Sequence, residues 1–183
     1  MQLATQERLV PEARSTLIAA EGLPSTSSRT PEELANIVFQ FALSDGWMDR
    51  VRLRAEGRWY ERLYHGQDHD IWVISWLPGQ STGFHDHGGS AGAFGVVWGT
   101  LEEHQAGTAG TAGTAGRPSV TAASVTGGRV RSFGPAYIHD VRNTSEAVAV
   151  SVHAYSPPLT EMTRYDLSEN GLIVLDTEAA DQW

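Results

Sequence analysis

The chain has 183 residues, a formal net charge of −9 and no cysteine. This length fits one domain with a single core, and the acidic balance disfavours nucleic acid as a partner. Disulfides, thiolate ligands and cysteine nucleophiles are excluded, as is lysine chemistry such as Schiff-base formation, because all 13 basic residues are arginine. Histidine, carboxylate, hydroxyl and arginine side chains, or a bound cofactor, must therefore carry any chemistry.

Targeting features are not visible in the sequence. It contains no stretch of about 18 apolar residues and no charged-then-apolar start with a small-residue cleavage site. We therefore predict a soluble, cytoplasmic protein that neither spans nor binds a membrane. The sequence does not specify the oligomeric state, and a monomer is the expectation.

The N-terminal part, residues 1–45, has a helical pattern. The stretches "QERLVPEARSTLIAAEG" and "TPEELANIVFQFALSD" space their apolar residues by three and four. In the second stretch Thr30 is a candidate N-cap, Pro31 fits the first helical position, and Glu32 and Glu33 place acidic groups in the first turn. The sequence predicts two N-terminal helices.

The pattern changes to strands over residues 58–176. Short β-branched and aromatic runs, such as "DIWVISW", "AFGVVWG", "GGRVRSF" and "AVAVSVHAYS", are separated by glycine and proline. This pattern predicts a mainly β sandwich or barrel of about eight to ten antiparallel strands. We predict one domain over residues 1–183, with the repetitive segment "AGTAGTAGTAG", residues 106–116, as a flexible hairpin loop rather than a functional lid.

Seven histidines are the main candidates for chemistry. In a strand, residues two apart point to the same face, so His85 and His87 in "GFHDHGGSAGAF" can present two imidazoles to one ion while Asp86 points away. The alternative is an exposed histidine pair in a turn. The remaining five are His65, His69, His104, His139 and His153.

The surroundings of this pair resemble the two sequence motifs of the cupin barrels, G-x5-H-x-H-x3,4-E-x6-G and G-x5-P-x-G-x2-H-x3-N. Ala91 and Gly92 stand where the usual glutamate ligand would be, and 134–136 replace Pro-x-Gly. The resemblance implies an antiparallel jelly-roll β-barrel with a metal held by three neutral histidines. The matching residues are His85, His87, Gly99, His139 and Asn143.

A ligand set of three imidazoles leaves a divalent ion with its full charge. Imidazole suits Fe, Zn, Cu or Ni alike, so ligand softness does not identify the metal. Three facial ligands would leave open positions on an octahedral ion, as in non-haem iron oxygenases. The commoner oxygenase triad has one carboxylate, so three histidines indicate a narrower family.

The segments "HDHGGSAGAF", "IHDVRN" and "SVHAYSPP" resemble the cysteine dioxygenases, thiol dioxygenases of the cupin superfamily, over residues 60–158. The resemblance implies an Fe(II) cofactor and conversion of L-cysteine and O2 to cysteine sulfinate. It also implies an outer-sphere hydrogen-bonded relay of Ser151, His153 and Tyr155. These three residues alternate onto one strand face, and an exposed polar stripe is the alternative interpretation.

The stretch "RWYERLY" resembles the family's Y-x-R segment, whose arginine binds the substrate carboxylate. This assigns Arg62 to the carboxylate, with Tyr60 beside it, because guanidinium recognises carboxylate bidentately. Relatives that oxidise 3-mercaptopropionate carry glutamine there, so Arg62 favours cysteine. Arg58 has the same strand parity and is the alternative. Ile74 and Trp76 line the same pocket or simply pack in the core.

Animal members of the family crosslink a cysteine to the relay tyrosine, whereas Gly92 stands at the aligned position here. Tyr155 is therefore expected to be a free phenol, as in bacterial members. Two other functions stay open. One is a dioxygenase for another small thiol, such as 3-mercaptopropionate or cysteamine, and the other is a non-enzymatic cupin that binds a metal or ligand.

Overall fold

The computed structural model describes residues 28–107, 119–169 and 171–180. The first predicted helix, at residues 6–22, and most of the predicted loop at 106–116 lie outside these ranges. Within them, the chain forms one α-helix, a short 3₁₀ helix and eleven strands. The mainly β prediction is confirmed.

The elements follow the chain in the order helix first, strands afterwards. The α-helix α1 spans Pro31–Ala42, and the 3₁₀ helix spans Met48–Arg50. The strands are β1 Trp59–His65, β2 Asp70–Trp76, β3 Phe84–His85, β4 Ala91–Trp98, β5 Thr100–Ala106, β6 Val120–Thr126, β7 Val130–Phe133, β8 His139–Arg142, β9 Ala149–Ser156, β10 Glu161–Ser168 and β11 Gly171–Ala179.

Helix α1 begins where its capping residues predict. The Thr30 side chain accepts a hydrogen bond from the Glu33 backbone, and the Glu33 side chain accepts one from the Thr30 backbone, which completes a capping box. Pro31 occupies the first turn, where its missing N–H costs nothing. No helix in the described ranges has both the length and the hydrophobicity needed to cross a membrane.

The strands form two sheets in which all neighbouring strands run antiparallel. One sheet has the order β1-β2-β9-β4-β7, and the other has the order β11-β10-β3-β8-β5-β6. A cluster of apolar side chains from both sheets forms the interior between them. This is the jelly-roll arrangement that closes most strand edges by pairing.

Strand β9 separates the two apolar clusters of the molecule. All its residues are buried, because it is central in its sheet and covered on both faces. Val150, Val152 and Ala154 pack with Leu34 and Val38 of α1. The alternate residues of β9 point into the barrel interior, which brings the predicted relay residues into the space between the sheets.

Two motif residues have structural roles away from the histidines. The Asn143 amide donates to the carbonyls of Trp76 and Ala147, at 3.1 and 2.7 Å, and so fixes the turn that follows β8. Gly99 has a φ of 78°, and a Cβ there would lie 2.5 Å from the Val148 carbonyl oxygen. Glycine is therefore required at this tight turn.

Candidate metal centre

Three buried histidines meet between the sheets. His85 lies on β3 and pairs with His139 on β8, while His87 follows β3 by two residues. The exposed fractions of His85, His139 and His87 are 3%, 1% and 0%, respectively. Their candidate ligand atoms all lie within 4.8 Å of one another, and in the described residues no carboxylate joins this cluster.

Hydrogen bonds orient two of the three rings. His85 Nδ1 lies 2.9 Å from the Gly83 carbonyl oxygen, and His139 Nδ1 lies 2.8 Å from Glu103 Oε1. Both partners are acceptors, so each Nδ1 carries the proton and donates it. The Nε2 lone pair of each ring is thus left free for a metal, which is how ligating histidines are usually held.

The third ring has the strongest need for a ligand. Neither ring nitrogen of His87 makes a hydrogen bond of acceptable geometry within the described chain, although the Tyr137 backbone lies near enough to act on its charge. The ring stacks on Phe133 and Tyr155, with centroids 4.8 and 5.0 Å away. A buried imidazole without a partner is costly, and a metal ion would satisfy it.

The environment keeps His85 and His87 neutral. Burial, followed by the charge of the neighbouring rings, lowers the pKa of His85 and of His87 well below the ordinary value. Neutral imidazole is the form that binds metal. The three residues therefore fit a divalent ion that accepts nitrogen ligands.

At Gly92, one of the two positions where the motif places its glutamate, the absence of a side chain has a steric explanation. A Cβ at Gly92 would lie 2.4 Å from the Phe133 ring and 3.0 Å from the Tyr155 ring. Neither a glutamate ligand nor a crosslinking cysteine fits at this position while Phe133 keeps its place. Because the chain also contains no cysteine, the Tyr155 ring carries no thioether crosslink.

The relay residues form a continuous hydrogen-bonded chain. Ser151 Oγ lies 2.8 Å from His153 Nε2, and the Tyr155 hydroxyl lies 3.2 Å from His153 Nδ1. Trp76 Nε1 donates to Ser151 Oγ at 2.9 Å. Trp76, which the sequence analysis placed in the pocket wall or the core, is fully buried and anchors the far end of this chain.

The Trp76 contact allows one direction of donation along these hydrogen bonds. The indole can only donate, so the Ser151 hydroxyl is free to donate its proton to His153 Nε2. Burial lowers the pKa of His153 to about 3, so the ring is neutral. In the arrangement in which Ser151 donates to Nε2, the single ring proton is on Nδ1. Nδ1–H then donates to the Tyr155 oxygen, and the phenol proton can point into the adjacent cavity. Burial, with the charge of Asp70, raises the pKa of Tyr155, so the phenol stays protonated.

A cavity opens over the histidines, with an empty volume of about 530 Å³ that includes solvent at its mouth. His85, His139, His153 and Tyr155 contribute to its wall. His87 is not part of this wall. The full lining is Arg58, Tyr60, Trp72, Ile74, Thr82, His85, His139, Val141, His153, Tyr155, Met162 and Arg164.

Arg58, which immediately precedes β1, stands in the cavity wall, and Arg62, on β1, is not part of the lining. Arg62 is exposed, pairs with Trp72 across the hairpin, and stacks over that indole with its guanidinium carbon 5.1 Å from the ring. Arg58 lies over Trp76 at 5.3 Å, at the cavity end of β1. Residues 58, 60 and 62 share one strand face, so position along the strand, rather than parity, separates the two arginines.

Other residues that shape the site were not identified from the sequence. Thr82, Met162 and Arg164 line the cavity. Arg164 donates to the Thr82 carbonyl and to Glu178, each at 3.0 Å. These residues reach the cavity through pairing of β3 with β10, distant in the chain, and no local pattern marks that pairing.

Asp86 fastens the segment that carries the histidine pair. One carboxylate oxygen accepts from the backbones of Gly88 and Thr163, both at 3.1 Å, and the other accepts from the Tyr165 hydroxyl at 2.7 Å. Burial and this carboxylate raise the pKa of Tyr165 to about 12. The residue between the two histidines thus holds the segment to β10 while its side chain points away from the cluster.

The fold and the histidine cluster define a cupin, a double-stranded β-helix barrel, with a candidate three-histidine metal site. A family model described as cysteine dioxygenase type I matches residues 31–168, so the chain belongs to that family. Membership makes the chain a thiol dioxygenase of the cupin type.

Solved structures agree on the fold. The protein TT1209 from Thermus thermophilus has a TM-score of 0.52 at 18% identity, over 63% of this chain and 97% of that one. An uncharacterized conserved protein with a double-stranded β-helix domain from Klebsiella pneumoniae has a TM-score of 0.51 at 16% identity, over 73% of this chain and 97% of that one. At these identities the likeness shows the fold alone. The comparison with curated proteins finds no match.

Proposed function

We propose that the protein is an Fe(II)-dependent dioxygenase that converts L-cysteine and O2 to cysteine sulfinate in the cytoplasm. The observation that carries this proposal is the convergence of three kinds of group on one cavity. Histidines of the candidate metal cluster, the free hydroxyl of Tyr155 and the guanidinium of Arg58 all contribute to its wall. A thiol acid between them would meet a metal, a hydrogen-bond donor and a cation.

The overall reaction balances without a further reductant. The S–H and O–O bonds break, two S–O bonds form on the same sulfur, and the electrons that leave sulfur reduce both oxygen atoms. The thiol proton is released to solvent, which leaves the sulfinate anion. Bound Fe(II), held by His85, His87 and His139, would supply open positions for thiolate and dioxygen and would make the thiol deprotonated at neutral pH.

Arg58 is our candidate for the substrate carboxylate. It forms no ion pair within the described ranges, and burial, followed by repulsion from Arg164, lowers its pKa to about 10. Its guanidinium stays charged at neutral pH and offers the forked donors that suit a carboxylate. Tyr60, on the same face and also in the wall, would pack against the substrate.

Tyr155 is our candidate for the group that acts on the reacting oxygen. With its oxygen accepting from His153, the phenol proton is available for a hydrogen bond to oxygen as charge develops on it. A donor that is already oriented stabilises such charge without reorganising during the step. Ser151 and His153 hold the phenol and do not need to change protonation state.

A second substrate is favoured by one observation, the absence of any acidic side chain in the described cavity wall. An ammonium group would find no counter-charge there, so the amine of cysteine would have to bind in its neutral form. A thiol acid without an amine, such as 3-mercaptopropionate, avoids this requirement. Cysteamine, an amine without a carboxylate, is the poorest fit of the three.

The test is oxygen consumption and sulfinate formation by Fe(II)-loaded protein with L-cysteine, 3-mercaptopropionate and cysteamine at equal concentration. We expect turnover of the thiol acids, with one sulfinate formed per O2 consumed. The variant His139→Ala is the control and should lose most of its iron and its activity. Full iron occupancy in that variant, or no sulfinate from any thiol with wild-type protein, would refute the proposal.

A further inference from the structure

A carboxylate lies directly behind the histidine cluster. Glu103, on β5, has an exposed fraction of 3%. Its Oε1 accepts from His139 Nδ1 at 2.8 Å and from the Tyr137 hydroxyl at 3.1 Å. Its Oε2 lies 3.4 Å from Arg131 Nε, whose side chain is 47% exposed. Glu103 therefore contacts a candidate metal ligand through a buried hydrogen bond.

The strand register produces this contact. On β5, Leu101 and Glu103 point inward, and Glu102 lies on the other face. On the paired strand β8, Glu103 is opposite Val141, and Gln105 is opposite His139. Glu103 and His139 are thus diagonal neighbours on the inner face, within reach of a long side chain.

Burial of this carboxylate is difficult to explain by packing alone. A buried anion is costly unless it is paired, and water partly screens its ion pair with the half-exposed Arg131. The neighbouring Tyr137 responds to the anion, because burial and then the Glu103 charge raise its pKa. A divalent ion on the far side of His139 would add a buried positive charge to that of Arg131.

We propose that Glu103 is a positioning residue that holds His139. Through the His139 imidazole it supplies the negative charge that the three-histidine ligand set lacks. This inference rests on the three-histidine metal site of the proposed function. No carboxylate ligand fits at position 92 while Phe133 keeps its place. Glu103 instead places a carboxylate one hydrogen bond away from the candidate ligand His139. The hydrogen bond fixes the Nδ1–H tautomer of His139 and orients Nε2 towards the metal. It also makes the imidazole a more basic metal ligand.

The experiment measures metal affinity in the absence of turnover. Zn²⁺ is the titrant, in competition with a chromophoric chelator, and the proteins are wild type, Glu103→Gln, Glu103→Ala and the control Glu102→Gln. Glu102 is adjacent in sequence and pairs with His104 on the outer face. We expect a loss of about 10-fold for Glu103→Gln and about 100-fold for Glu103→Ala. The control should stay within about twofold of wild type.

Two readouts separate this role from a merely structural one. In Glu103→Gln the amide side chain would fill the same volume and could still accept from His139, so this protein should fold and should lose mainly the charge. The midpoint potential of bound iron should rise in this variant, because removing a nearby anion favours Fe(II) over Fe(III). Wild-type Zn²⁺ affinity in a folded Glu103→Gln protein, or no Zn²⁺ binding by wild type, overturns the inference. Zn²⁺ binding without thiol oxidation would instead refute only the proposed function.

Discussion

Arg58 carries its charge in a wall that contains no acidic side chain among the described residues, which is an unfavourable place for a guanidinium. Stacking on Trp76 offsets part of this cost. Arg62 has the same chemistry four residues later but remains in solvent, where hydration already satisfies it. The two residues form a natural pair of test and control.

Arg58→Ala should raise the KM for a thiol acid strongly. If the ion pair with the substrate carboxylate is desolvated, the loss in kcat/KM corresponds to about 2 to 4 kcal/mol. Arg62→Ala should change the same constant little, and cysteamine turnover should be nearly insensitive to either change. Steady-state kinetics of wild type, Arg58→Ala and Arg62→Ala test this assignment. A larger loss of kcat/KM in Arg62→Ala than in Arg58→Ala would identify Arg62 as the residue that binds the substrate carboxylate.

Tyr155→Phe removes only the hydroxyl from a ring that stacks on His87. We expect the fold and the iron content to survive, while the rate falls by a factor of about 10 to 1,000. Coupling should also worsen, so that less sulfinate forms per O2 consumed. Both quantities are measured at equal iron loading. An unchanged rate and an unchanged ratio would mean that the relay only packs in the barrel.

The sequence marks single residues well where their neighbours are local. His85 and His87 are recognisable because they are two residues apart in one short segment. Ser151, His153 and Tyr155 are recognisable because they alternate along β9 and so lie on one face of that strand. Glu103 is different, because its importance depends on the pairing of β5 with β8. Parity alone also leaves the choice between the two arginines open.

At the scale of elements, the predicted strands and the second helix coincide closely with the structure. The run "DIWVISW" is β2, and "AVAVSVHAYS" contains β9. These segments are fixed by local composition and by their turn residues. The two-residue strand β3 has no such signal, because it forms only through its pairing with β8 and β10.

Helix α1 packs on the outer face of the sheet that contains β9 and the relay residues. The stability of this helix therefore contributes to the stability of that sheet. Thr30→Ala removes the acceptor for the Glu33 N–H and should lower the free energy of unfolding by about 1 kcal/mol. For a protein of this size, the Tm should fall by about 2 to 4 °C. Glu32→Ala, in the same turn but outside the capping box, is the matched control. Equal shifts in calorimetry would contradict a specific capping role.

At the scale of the molecule, buried neutral histidines link stability to pH. The pKa of His153 falls to about 3 in the folded protein because the ring is buried, whereas an unfolded chain binds this proton near pH 6.5. The unfolded state therefore holds more protons as the pH drops. The contribution of His153 to stability is complete above about pH 6.5 and is lost as the pH falls towards the folded pKa.

The corresponding prediction concerns the slope of stability against pH in chelator-treated protein. Between about pH 6 and 4.5, wild type should lose up to about 1.4 kcal/mol per pH unit through His153, and His153→Gln should show a slope shallower by that amount. The exposed His65→Gln variant is the control and should keep the wild-type slope. Urea unfolding at several pH values gives these slopes. A parallel slope for His153→Gln would mean that its proton equilibrium is not shifted by folding.

The contact between Gly92 and Phe133 constrains the order in which substitutions can accumulate. A cysteine at position 92 would collide with the Phe133 ring, so it would be tolerated only after a smaller residue had replaced that ring. The reverse order passes through a sequence that must displace β7 or the ring next to His87. A Gly92→Cys variant is therefore expected to unfold at a lower temperature than a variant that also carries a smaller residue at position 133.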